Sequence, residues 1–515
     1  MHSKVFSAAI IGVDAYPVEV EVDVSFGLVN FYIVGLPDTA IKESSKRIQT
    51  ALKNSGIRLP AKRITVNLAP ADLKKEGTLF DLPIAIGILL AAEYLELNPL
   101  FLQETIFFGE LSLDGGIRGI KGALAIAYDA HKLKKKRIIL PQVNAAEAAL
   151  IKDLEIIGVN TIAELISYLR TEIAIEPATY SLPNLLKKHH FKSSLDFAQV
   201  RGQQQAKRAL QIAAAGRHHI LFIGPPGSGK TMLAKRLPTI MPPLSFKEML
   251  ETSKIYSISG KLMNKRLKVK RPFRNPHHTI SQAGLVGGGS YPHPGEISLA
   301  HNGILFLDEL TEFKRDTLEV LRQPMENKTV CIARAQYTIS FPSSFLLVAA
   351  FNPCPCGFWG DKKRHCSCSP NQINRYLDKL SGPLLDRIDL QINVQSVEYT
   401  TIKGEKRDDY SSEQMYINVQ KAFNKQHERF KSSALCNSTM TSDMIEQYCV
   451  LTPAAETILK KAFDVLYLSM RGYHKLLKIA RTIADIEDKD IIDVPHIQEA
   501  LMYRCLDQTL ERGKR

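Results

Sequence analysis

Residues 224–231 form a glycine-rich segment that restricts the chain to a small set of folds. The segment reads Gly-Pro-Pro-Gly-Ser-Gly-Lys-Thr and matches the pattern G-x-x-x-x-G-K-[ST] at every fixed position. An apolar run, His219–Ile223, precedes it, and a helix-compatible run, Met232–Leu237, follows it. Phosphate-binding loops lie between a strand and a helix in this order. The sequence therefore predicts a phosphate loop in a parallel α/β sheet, and a chance glycine turn is the alternative.

The residue types of the phosphate loop suit a complex of ATP with Mg²⁺. Glycines allow backbone N–H groups to face the phosphates, Lys230 would neutralise the β- and γ-phosphates, and the Thr231 hydroxyl would coordinate Mg²⁺. ATP and Mg²⁺ are therefore the predicted cofactors. The candidate ATP-binding residues of the loop are Gly224, Pro225, Pro226, Gly227, Ser228, Gly229, Lys230 and Thr231.

Two further apolar runs end in polar residues that suit ATP hydrolysis. Gly303–Leu307 is followed by Asp308 and Glu309, here called the acidic pair, and Phe345–Phe351 is followed by Asn352. Uniformly apolar runs are typical of buried parallel strands, whose carboxyl ends meet at one edge of the sheet. Asp308 would hold Mg²⁺, Glu309 would polarise the attacking water and Asn352 would orient it. Helix capping by the acidic pair and a simple turn at Asn352 are the alternatives.

The chain carries an excess of positive charge. Its 515 residues include 67 Lys and Arg against 53 Asp and Glu, a net charge of +14, which favours a polyanionic partner such as DNA. Between the phosphate loop and the acidic pair lies a basic run, Lys261–Arg274, that contains no acidic residue. Such a run would neutralise DNA phosphates, and a solvated basic surface is the alternative. Its candidate DNA contacts are Lys261, Lys265, Arg266, Lys268, Lys270, Arg271 and Arg274.

Four of the eight cysteines crowd into one short stretch. In a chain of this length that pattern indicates a metal site rather than a disulfide framework. The thiolates of Cys354, Cys356, Cys366 and Cys368 would close a tetrahedral Zn²⁺ site with bonds of about 2.3 Å, and His365 is a substitute for one of them. Four filled positions would make the role of Zn²⁺ structural, and a reduced, metal-free loop is the alternative.

Several phrases of the sequence resemble the magnesium-chelatase-like branch of the AAA+ ATPases. Within that branch the sequence is most similar to the ComM/YifB group of bacterial competence helicases, over nearly the whole chain. The phrases are Arg271-Pro-Phe-Arg-Asn-Pro-His-His-Thr, Gly287-Gly-Gly-Ser, Pro294-Gly-Glu-Ile-Ser-Leu-Ala-His-Asn-Gly303, Ser381-Gly-Pro-Leu-Leu-Asp-Arg-Ile-Asp389 and Leu468-Ser-Met-Arg-Gly-Tyr-His474. The resemblance implies an AAA+ fold, a doubly wound parallel α/β sheet with a C-terminal helical lid.

The resemblance also implies an assembly and a substrate. It implies that Arg387 is an arginine finger that reaches a neighbouring subunit's ATP, and that Arg471 is the second sensor arginine of the lid. Arg481 competes with Arg471 for that role, and a salt bridge to Asp386 or Asp389 is the alternative for Arg387. A finger that acts between subunits needs an oligomer, and the family implies a homo-hexameric ring.

The implied activity is ATP-driven translocation on single-stranded, duplex and branched DNA. It would promote branch migration of recombination intermediates in natural transformation, with recombination proteins as further partners. A chelatase-type motor that remodels a protein partner and a protein unfoldase are the alternatives.

Residues 328–341 alternate apolar and polar side chains on either side of Arg334, which predicts a hairpin with a basic tip. Related ring motors grip DNA with a hairpin at this place, so Arg334 is a further candidate DNA contact. A contact between subunits is the alternative.

The first third of the chain resembles the proteolytic domain of Lon proteases. The matching phrases are Lys75-Glu-Gly77, Gly109-Glu-Leu-Ser-Leu-Asp-Gly115 and Ile120-Lys-Gly122. Proteolysis of this type needs a Ser nucleophile and a Lys with a lowered pKa. Leu79 stands at the serine position and Leu124 at the lysine position. We therefore expect an inactive Lon-like (S5-type) α/β domain that serves DNA binding or ring assembly.

These features predict four segments. They are a Lon-like domain over 1–172, a linker over 173–195, an ATPase core with the cysteines over 196–395 and a helical lid over 396–515. No secretory or membrane segment is visible, because apolar runs such as Val5–Val13 and Leu82–Ala92 are shorter than the roughly 20 residues that cross a bilayer. The sequence therefore predicts a cytoplasmic protein without a membrane partner.

Overall fold

The computed structural model describes residues 2–179, 194–262, 267–289, 292–333, 338–361, 364–396, 410–432 and 435–504. The chain divides into two compact units. The first comprises Met1–Lys188 and Met249–Lys268, and the second comprises His189–Glu248 and Val269–Arg515. Three candidate DNA contacts, Lys265, Arg266 and Arg334, lie outside the described residues.

The first unit has an α/β structure. Its strands are β1 (His2–Ile11), β2 (Asp14–Ser25), β3 (Phe31–Val34), β4 (Arg63–Ala69), β5 (Thr105–Phe107), β6 (Glu110–Leu111), β7 (Ile117–Arg118), β8 (Arg137–Pro141) and β9 (Glu155–Val159). Its helices are α1 (Thr39–Asn54), α2 (Asp81–Ala91), α3 (Pro99–Glu104), α4 (Ala123–Lys132), α5 (Gln142–Ala148) and α6 (Ile162–Leu169).

Alternating side chains build the main sheet of the first unit, which has the strand order β1-β2-β4-β3. In β2 the side chains of Val18, Val20, Val22 and Val24 are buried, and the residues between them are more exposed, as the period of two in a strand predicts. Helix α2 is buried along nearly its whole length and packs against β1, β2 and α1. A second, parallel sheet has the order β5-β8-β9.

The second unit is built on a parallel sheet. Its strands are β10 (Ile220–Ile223), β11 (Phe273–Arg274), β12 (Gly287–Gly288), β13 (His293–Pro294), β14 (Ile304–Leu307), β15 (Thr329–Ala333), β16 (Thr338–Pro342), β17 (Leu346–Phe351) and β18 (Leu390–Asn393). Five of them form the sheet in the order β11-β14-β17-β10-β18, and every neighbouring pair is parallel. The predicted α/β fold with a parallel sheet is therefore confirmed.

The remaining helices follow the chain from α7 to α20. They are α7 (Gln204–Gly216), α8 (Lys230–Arg236), α9 (Phe246–Ile258), α10 (Gln282–Val286), α11 (Glu296–Leu299), α12 (Arg315–Glu319), α13 (Arg322–Asn327), α14 (Pro370–Leu377), α15 (Gly382–Leu385), α16 (Ser412–Phe430), α17 (Ser442–Tyr448), α18 (Pro453–Val465), α19 (Met470–Ile486) and α20 (Val494–Met502). None of the helices in the described ranges combines the length and the apolarity that a bilayer crossing requires.

The C-terminal helices share a hydrophobic core with the parallel sheet. Val419 of α16, Leu476 of α19 and Ile497 of α20 belong to the same buried cluster as Ile220 of β10 and Val348 of β17. These helices lie in the same compact unit as the sheet.

The first unit also includes Met249–Lys268. Polar contacts within that unit hold this segment. Lys254 Nζ lies 3.0 Å from Asp14 Oδ1, and Ser257 Oγ donates a hydrogen bond to Glu147. Ser257 also accepts the backbone N–H of Gly122 at its carbonyl oxygen. Most of α9 is therefore fixed to the N-terminal residues of the chain.

A buried ion pair in the first unit gives a test of this fold. Arg47 Nε and Nη2 donate to the two carboxylate oxygens of Asp81 at 2.9 and 3.0 Å. Asp81 is 1% exposed, and burial raises its pKa to about 6 despite the neighbouring Arg47. We expect Arg47→Met to lower the free energy of unfolding by about 3 kcal/mol near neutral pH, because it leaves a buried carboxylate without its partner.

The pH dependence of that loss checks its cause. A carboxyl group whose pKa is raised on folding favours the folded state at acid pH, and this contribution is lost as the pH rises through its folded pKa. Removal of Arg47 raises the pKa of Asp81 further, so the loss should be largest near pH 8 and clearly smaller near pH 5 in denaturant titrations. Lys46→Ala, at an exposed position of α1, is the control. An equal loss at both pH values would contradict the explanation.

Candidate nucleotide-binding site

The phosphate loop begins where β10 ends, at the carboxyl edge of the parallel sheet. Gly224 passes so close to the neighbouring backbone that a Cβ atom there would lie 2.1 Å from the carbonyl oxygen of Val394. Gly227 and Gly229 have φ angles of +76° and +90°, which glycine adopts without strain. Helix α8 then begins at Lys230. The glycines of the motif are therefore required by this backbone path.

Lys230 joins the phosphate loop to the end of β17. Its Nζ donates hydrogen bonds to the carbonyl oxygens of Gly224 and Pro225 at 2.7 and 2.9 Å, and to Asn352 Oδ1 at 3.2 Å. Burial lowers the pKa of Lys230, although the acidic pair acts in the opposite direction. The structure thus brings Lys230 and Asn352, two sequence-predicted site residues, into direct contact.

The acidic pair lies next to the same loop. Thr231 Oγ1 donates a hydrogen bond to Asp308 Oδ2 at 2.5 Å. Glu309 has a φ angle of +52°, a conformation that costs free energy in a residue other than glycine and is frequent at functional sites. The Glu309 side chain is 57% exposed, and its Oε2 lies 3.3 Å from His278 Nδ1. Asp308 is therefore fixed on the loop, while Glu309 faces the open side of the site.

The residues at this edge fit ATP and Mg²⁺. Ser228 Oγ is buried and has no hydrogen-bond partner among the described residues, and an orphaned hydroxyl in a phosphate loop suits an anionic oxygen. Lys230 would hold the phosphates, and Thr231 with Asp308 would hold the ion. Bound MgATP supplies the phosphoryl group whose transfer these side chains would orient.

Arg387 and Arg471, here called the arginine pair, share one carboxylate at the opposite edge of the sheet. Arg387 Nη2 lies 2.9 Å from Glu326 Oε1, and Arg471 Nη2 contacts the same oxygen. Arg387 precedes β18, whose first residue, Leu390, pairs with the first residue of β10, Ile220. Because β10 and β18 are parallel, the arginine pair is separated from the phosphate loop by the length of β10, about 13 Å.

The arginine pair borders a cavity of about 510 Å³. Other Arg and Lys residues that line it are Arg217, Arg271, Lys328, Lys475 and Lys478. Arg387 Nε is buried and has no hydrogen-bond partner among the described residues. Arg481, the competitor of Arg471, is 1% exposed and bonds Asp485 inside the protein. Arg481 is therefore structural, whereas Arg387 and Arg471 face a basic cavity.

Arg271 of the basic run has a structural role. Its guanidinium is buried and donates hydrogen bonds to the carbonyl oxygens of Pro242 and Asn302 at 2.6 and 2.7 Å. Burial lowers the pKa of Arg271 to about 10. The donors of Arg271 are used inside the protein, and a contact of this residue with DNA stays a prediction.

The other described members of the basic run differ in their surroundings. Arg274 makes two hydrogen bonds to the carboxylate of Glu296, at 2.5 and 2.6 Å. Lys268 Nζ lies 4.6 Å from the centroid of the Tyr256 ring. Lys261 and Lys270 are exposed. The structure leaves these two lysines most accessible to a polyanion.

The cysteine cluster, composed of Cys354, Cys356, Cys366 and Cys368, follows Asn352. All four Sγ atoms lie within 4.8 Å of one another, and none is in a disulfide. Cys354 is buried and the other three are partly buried. The four cysteines make up the whole group that could hold a metal ion, and His365 is not part of it.

Three family models match most of the chain. "Magnesium chelatase, subunit ChlI" matches residues 196–402, "Subunit ChlI of Mg-chelatase" matches residues 20–144, and "Magnesium chelatase, subunit ChlI C-terminal" matches residues 409–504. Competence protein ComM of Haemophilus influenzae is 44% identical over 513 residues, which is 99% of this chain and 98% of that protein. The chain belongs to the magnesium-chelatase ChlI family. Uncharacterized protein YifB of Escherichia coli, 43% identical over 99% of this chain and 98% of its own, is a similar relative.

Part of this ChlI-family chain also resembles a protease. Lon protease 2 of Bacillus subtilis is 27% identical over 150 residues, 28% of this chain and 27% of that protein. Leu124 is fully buried in α4, and Leu79 packs against the core of the first unit. Hydrocarbon side chains at these two positions can act neither as nucleophile nor as base.

Two site residues of this family member were not assigned a role from the sequence. Glu326 lies 61 and 145 residues from its partners Arg387 and Arg471, and no local pattern marks such a distant ion pair. His278, which contacts Glu309, stands in the phrase that begins at Arg271, and a histidine beside an acidic pair is visible only after folding.

The close approach of Gly224 to Val394 gives a test of the loop geometry. We expect Gly224→Ala to weaken the binding of a fluorescent ATP analogue by at least about tenfold, a loss of about 1.4 kcal/mol, because the loop backbone must move to accommodate the methyl group. Gly382→Ala is the matched control, since a Cβ atom there meets nothing within 4 Å. Unchanged affinity in Gly224→Ala would show that nucleotide does not bind in this loop.

Proposed function

We propose that this protein is an ATP-dependent DNA translocase and helicase that works as a homo-hexamer and promotes branch migration of recombination intermediates in natural transformation. ATP and Mg²⁺ are its cofactors, and single-stranded, duplex and branched DNA are its substrates. Recombination proteins are further partners.

The observation that carries the ATPase part is the junction of three strand ends at one edge of the sheet. Lys230 contacts Asn352, and Thr231 contacts Asp308, so the groups for phosphate binding, Mg²⁺ binding and water orientation lie side by side. Glu309, which is exposed beside them, is the candidate for polarising the attacking water.

Charge and family support DNA as the substrate. The net charge is +14, and the exposed Lys261 and Lys270 offer cations to a phosphate backbone. Lys268 and Arg274, which are less exposed and contact side chains of the protein, remain further candidates. The candidate Arg334 follows β15 in the sequence, and β15 pairs with β16 in an antiparallel arrangement. The similarity over the full length to a protein named for competence supports a role in transformation.

The position of the arginine pair supports an assembly of several subunits. Arg387 and Arg471 lie at the amino edge of the sheet, and the phosphate loop lies at the carboxyl edge. An arginine side chain reaches about 7 Å, which is shorter than the roughly 13 Å of strand between the two edges. The arginine pair would therefore stabilise the phosphates of a neighbouring subunit's ATP, in the manner of an arginine finger.

A motor that remodels a protein partner is the second candidate. The family models that match the chain describe a subunit of magnesium chelatase, and the same nucleotide site would serve such a motor. The two candidates differ in whether DNA stimulates hydrolysis of ATP.

Stimulation of the ATPase by DNA tests the proposed substrate. We expect single-stranded, duplex and three-stranded DNA to raise the rate, and the effect to weaken between about 50 mM and about 200 mM salt, because phosphate contacts release counterions. Lys230→Ala should abolish ATP hydrolysis with each of the DNAs and without DNA. This control shows that the measured rate comes from this protein and not from a contaminating ATPase. A rate that no DNA changes at low salt would favour the protein-remodelling motor.

Mixed oligomers test the shared active site. We expect Arg387→Ala and Glu309→Gln to bind nucleotide and to lose hydrolysis when each is assayed alone. Mixing them should restore part of the rate, because a Glu309→Gln subunit can supply Arg387 to a neighbour that retains Glu309. No recovery at any mixing ratio would contradict a finger that acts between subunits.

A further inference from the structure

The cysteine cluster has the geometry of a thiolate metal site. Three of its Sγ–Sγ distances are 3.3, 3.6 and 3.6 Å, close to the edge of about 3.8 Å in a tetrahedron with Zn–S bonds of about 2.3 Å. A disulfide would need a separation of about 2.05 Å. Thiols are weak hydrogen-bond donors and gain little from one another, so a cation that binds all four explains the cluster better than contacts between sulfurs.

Backbone donors support negative charge on the sulfurs. The N–H of Trp359 lies 3.3 Å from Cys354 Sγ, and the N–H of Cys356 lies 3.4 Å from Cys368 Sγ. Hydrogen bonds of this kind orient the ligands of a metal and stabilise their thiolate form. Soft sulfur ligands select Zn²⁺ over Mg²⁺ or Ca²⁺, and four of them leave no open position for catalysis.

The cluster is connected to the nucleotide site at three places. Cys354 is two residues after Asn352, which accepts a hydrogen bond from Lys230. Gly357, with a φ angle of +84°, lies against the phosphate loop so closely that a Cβ atom there would be 2.5 Å from Pro226 Cδ.

The third connection reaches the acidic pair. Helix α14 begins at Pro370, two residues after Cys368, and its residue Tyr376 accepts a hydrogen bond of 2.5 Å from Thr311 Oγ1. Thr311 lies in the short helical turn Leu310–Glu312 that follows Glu309. The loop that holds Cys354 and Gly357 and the helix α14 that follows Cys368 thus contact the three strand ends that build the site.

We infer that the cysteine cluster holds one structural Zn²⁺ ion, and that this ion positions Asn352 and the phosphate loop for nucleotide binding. Without the ion the segment between Asn352 and α14 loses the four bonds that close it, and Asn352 and Pro226 lose their support. The metal site stands on the sulfur geometry alone, whereas its effect on nucleotide rests on the proposed function.

Metal analysis of the purified full-length protein tests the first half. We expect about one zinc ion per chain in the wild type and in Cys331→Ser, and less than about a tenth of that in the double variant C366S/C368S. Cys331 is an exposed cysteine outside the cluster, so it controls for the loss of a thiol. Folded wild-type protein that contains no zinc and takes up none would overturn the inference.

Binding of a fluorescent ATP analogue, measured on the same samples, tests the second half. We expect the double variant to bind at least about tenfold more weakly than the wild type, and Cys331→Ser to bind within about twofold of it. Circular dichroism and gel filtration establish that each variant is folded. Loss of zinc without a change in affinity would overturn the positioning role.

Reversible removal of zinc keeps the test decisive if the double variant does not fold. A thiol-reactive mercurial with a chelator would release zinc from the wild type, and thiol reduction followed by added Zn²⁺ would restore it. We expect nucleotide affinity to fall and to return in parallel with the zinc content. A wild type that holds zinc but binds no ATP analogue would instead contradict the proposed function and, with it, the positioning role.

Discussion

The candidate site depends on the buried ammonium of Lys230. A buried charge is tolerated only where acceptors surround it, and here two carbonyl oxygens of the phosphate loop and the amide oxygen of Asn352 provide them. These three acceptors come from two adjacent parallel strands, β10 and β17. The same contacts that satisfy Lys230 therefore fix the distance between the loop and the end of β17. Phosphate oxygens can replace these acceptors without a large movement of the side chain.

In the proposed function, the two edges of the parallel sheet carry complementary halves of one reaction. The carboxyl edge would bind MgATP, and the amino edge holds the arginine pair on Glu326. A parallel sheet keeps these edges apart by the length of its strands, so one subunit cannot fold both halves onto the same nucleotide. In the proposed ring, hydrolysis requires a neighbour for this geometric reason, and the cysteine cluster stiffens only the edge that binds nucleotide.

The sequence predicts that the polar residues that follow the apolar runs meet at one edge of the sheet. It does not predict which residues far apart in the chain contact one another. Asp308, Asn352 and the phosphate loop each follow an apolar run, and parallel strands bring such ends together by rule. The four cysteines were recognisable by their spacing. The burial of Arg271 could not be predicted, because a run of basic residues shows charge and not burial, and its bonds to Pro242 and Asn302 depend on the tertiary fold. Likewise, the contacts of Lys254 with Asp14 and of Ser257 with Glu147 and Gly122 in the N-terminal unit follow from the tertiary fold, and no local pattern marks them.

The charge balance around Glu326 explains why the arginine pair is available to an external anion. One carboxylate faces two guanidinium groups, so the ion pairs leave an excess of positive charge. The adjacent Lys475 does not add to this excess, because Asp389, at 3.1 Å, balances its charge. Burial raises the pKa of Asp389, but Lys475 and His218 outweigh that effect and keep it below its usual range. Arg387 Nε, buried and without an acceptor among the described residues, has a donor that Glu326 does not use. A triphosphate from a neighbouring subunit would supply both the missing acceptor and the missing negative charge, while Glu326 keeps the two arginines together until it arrives.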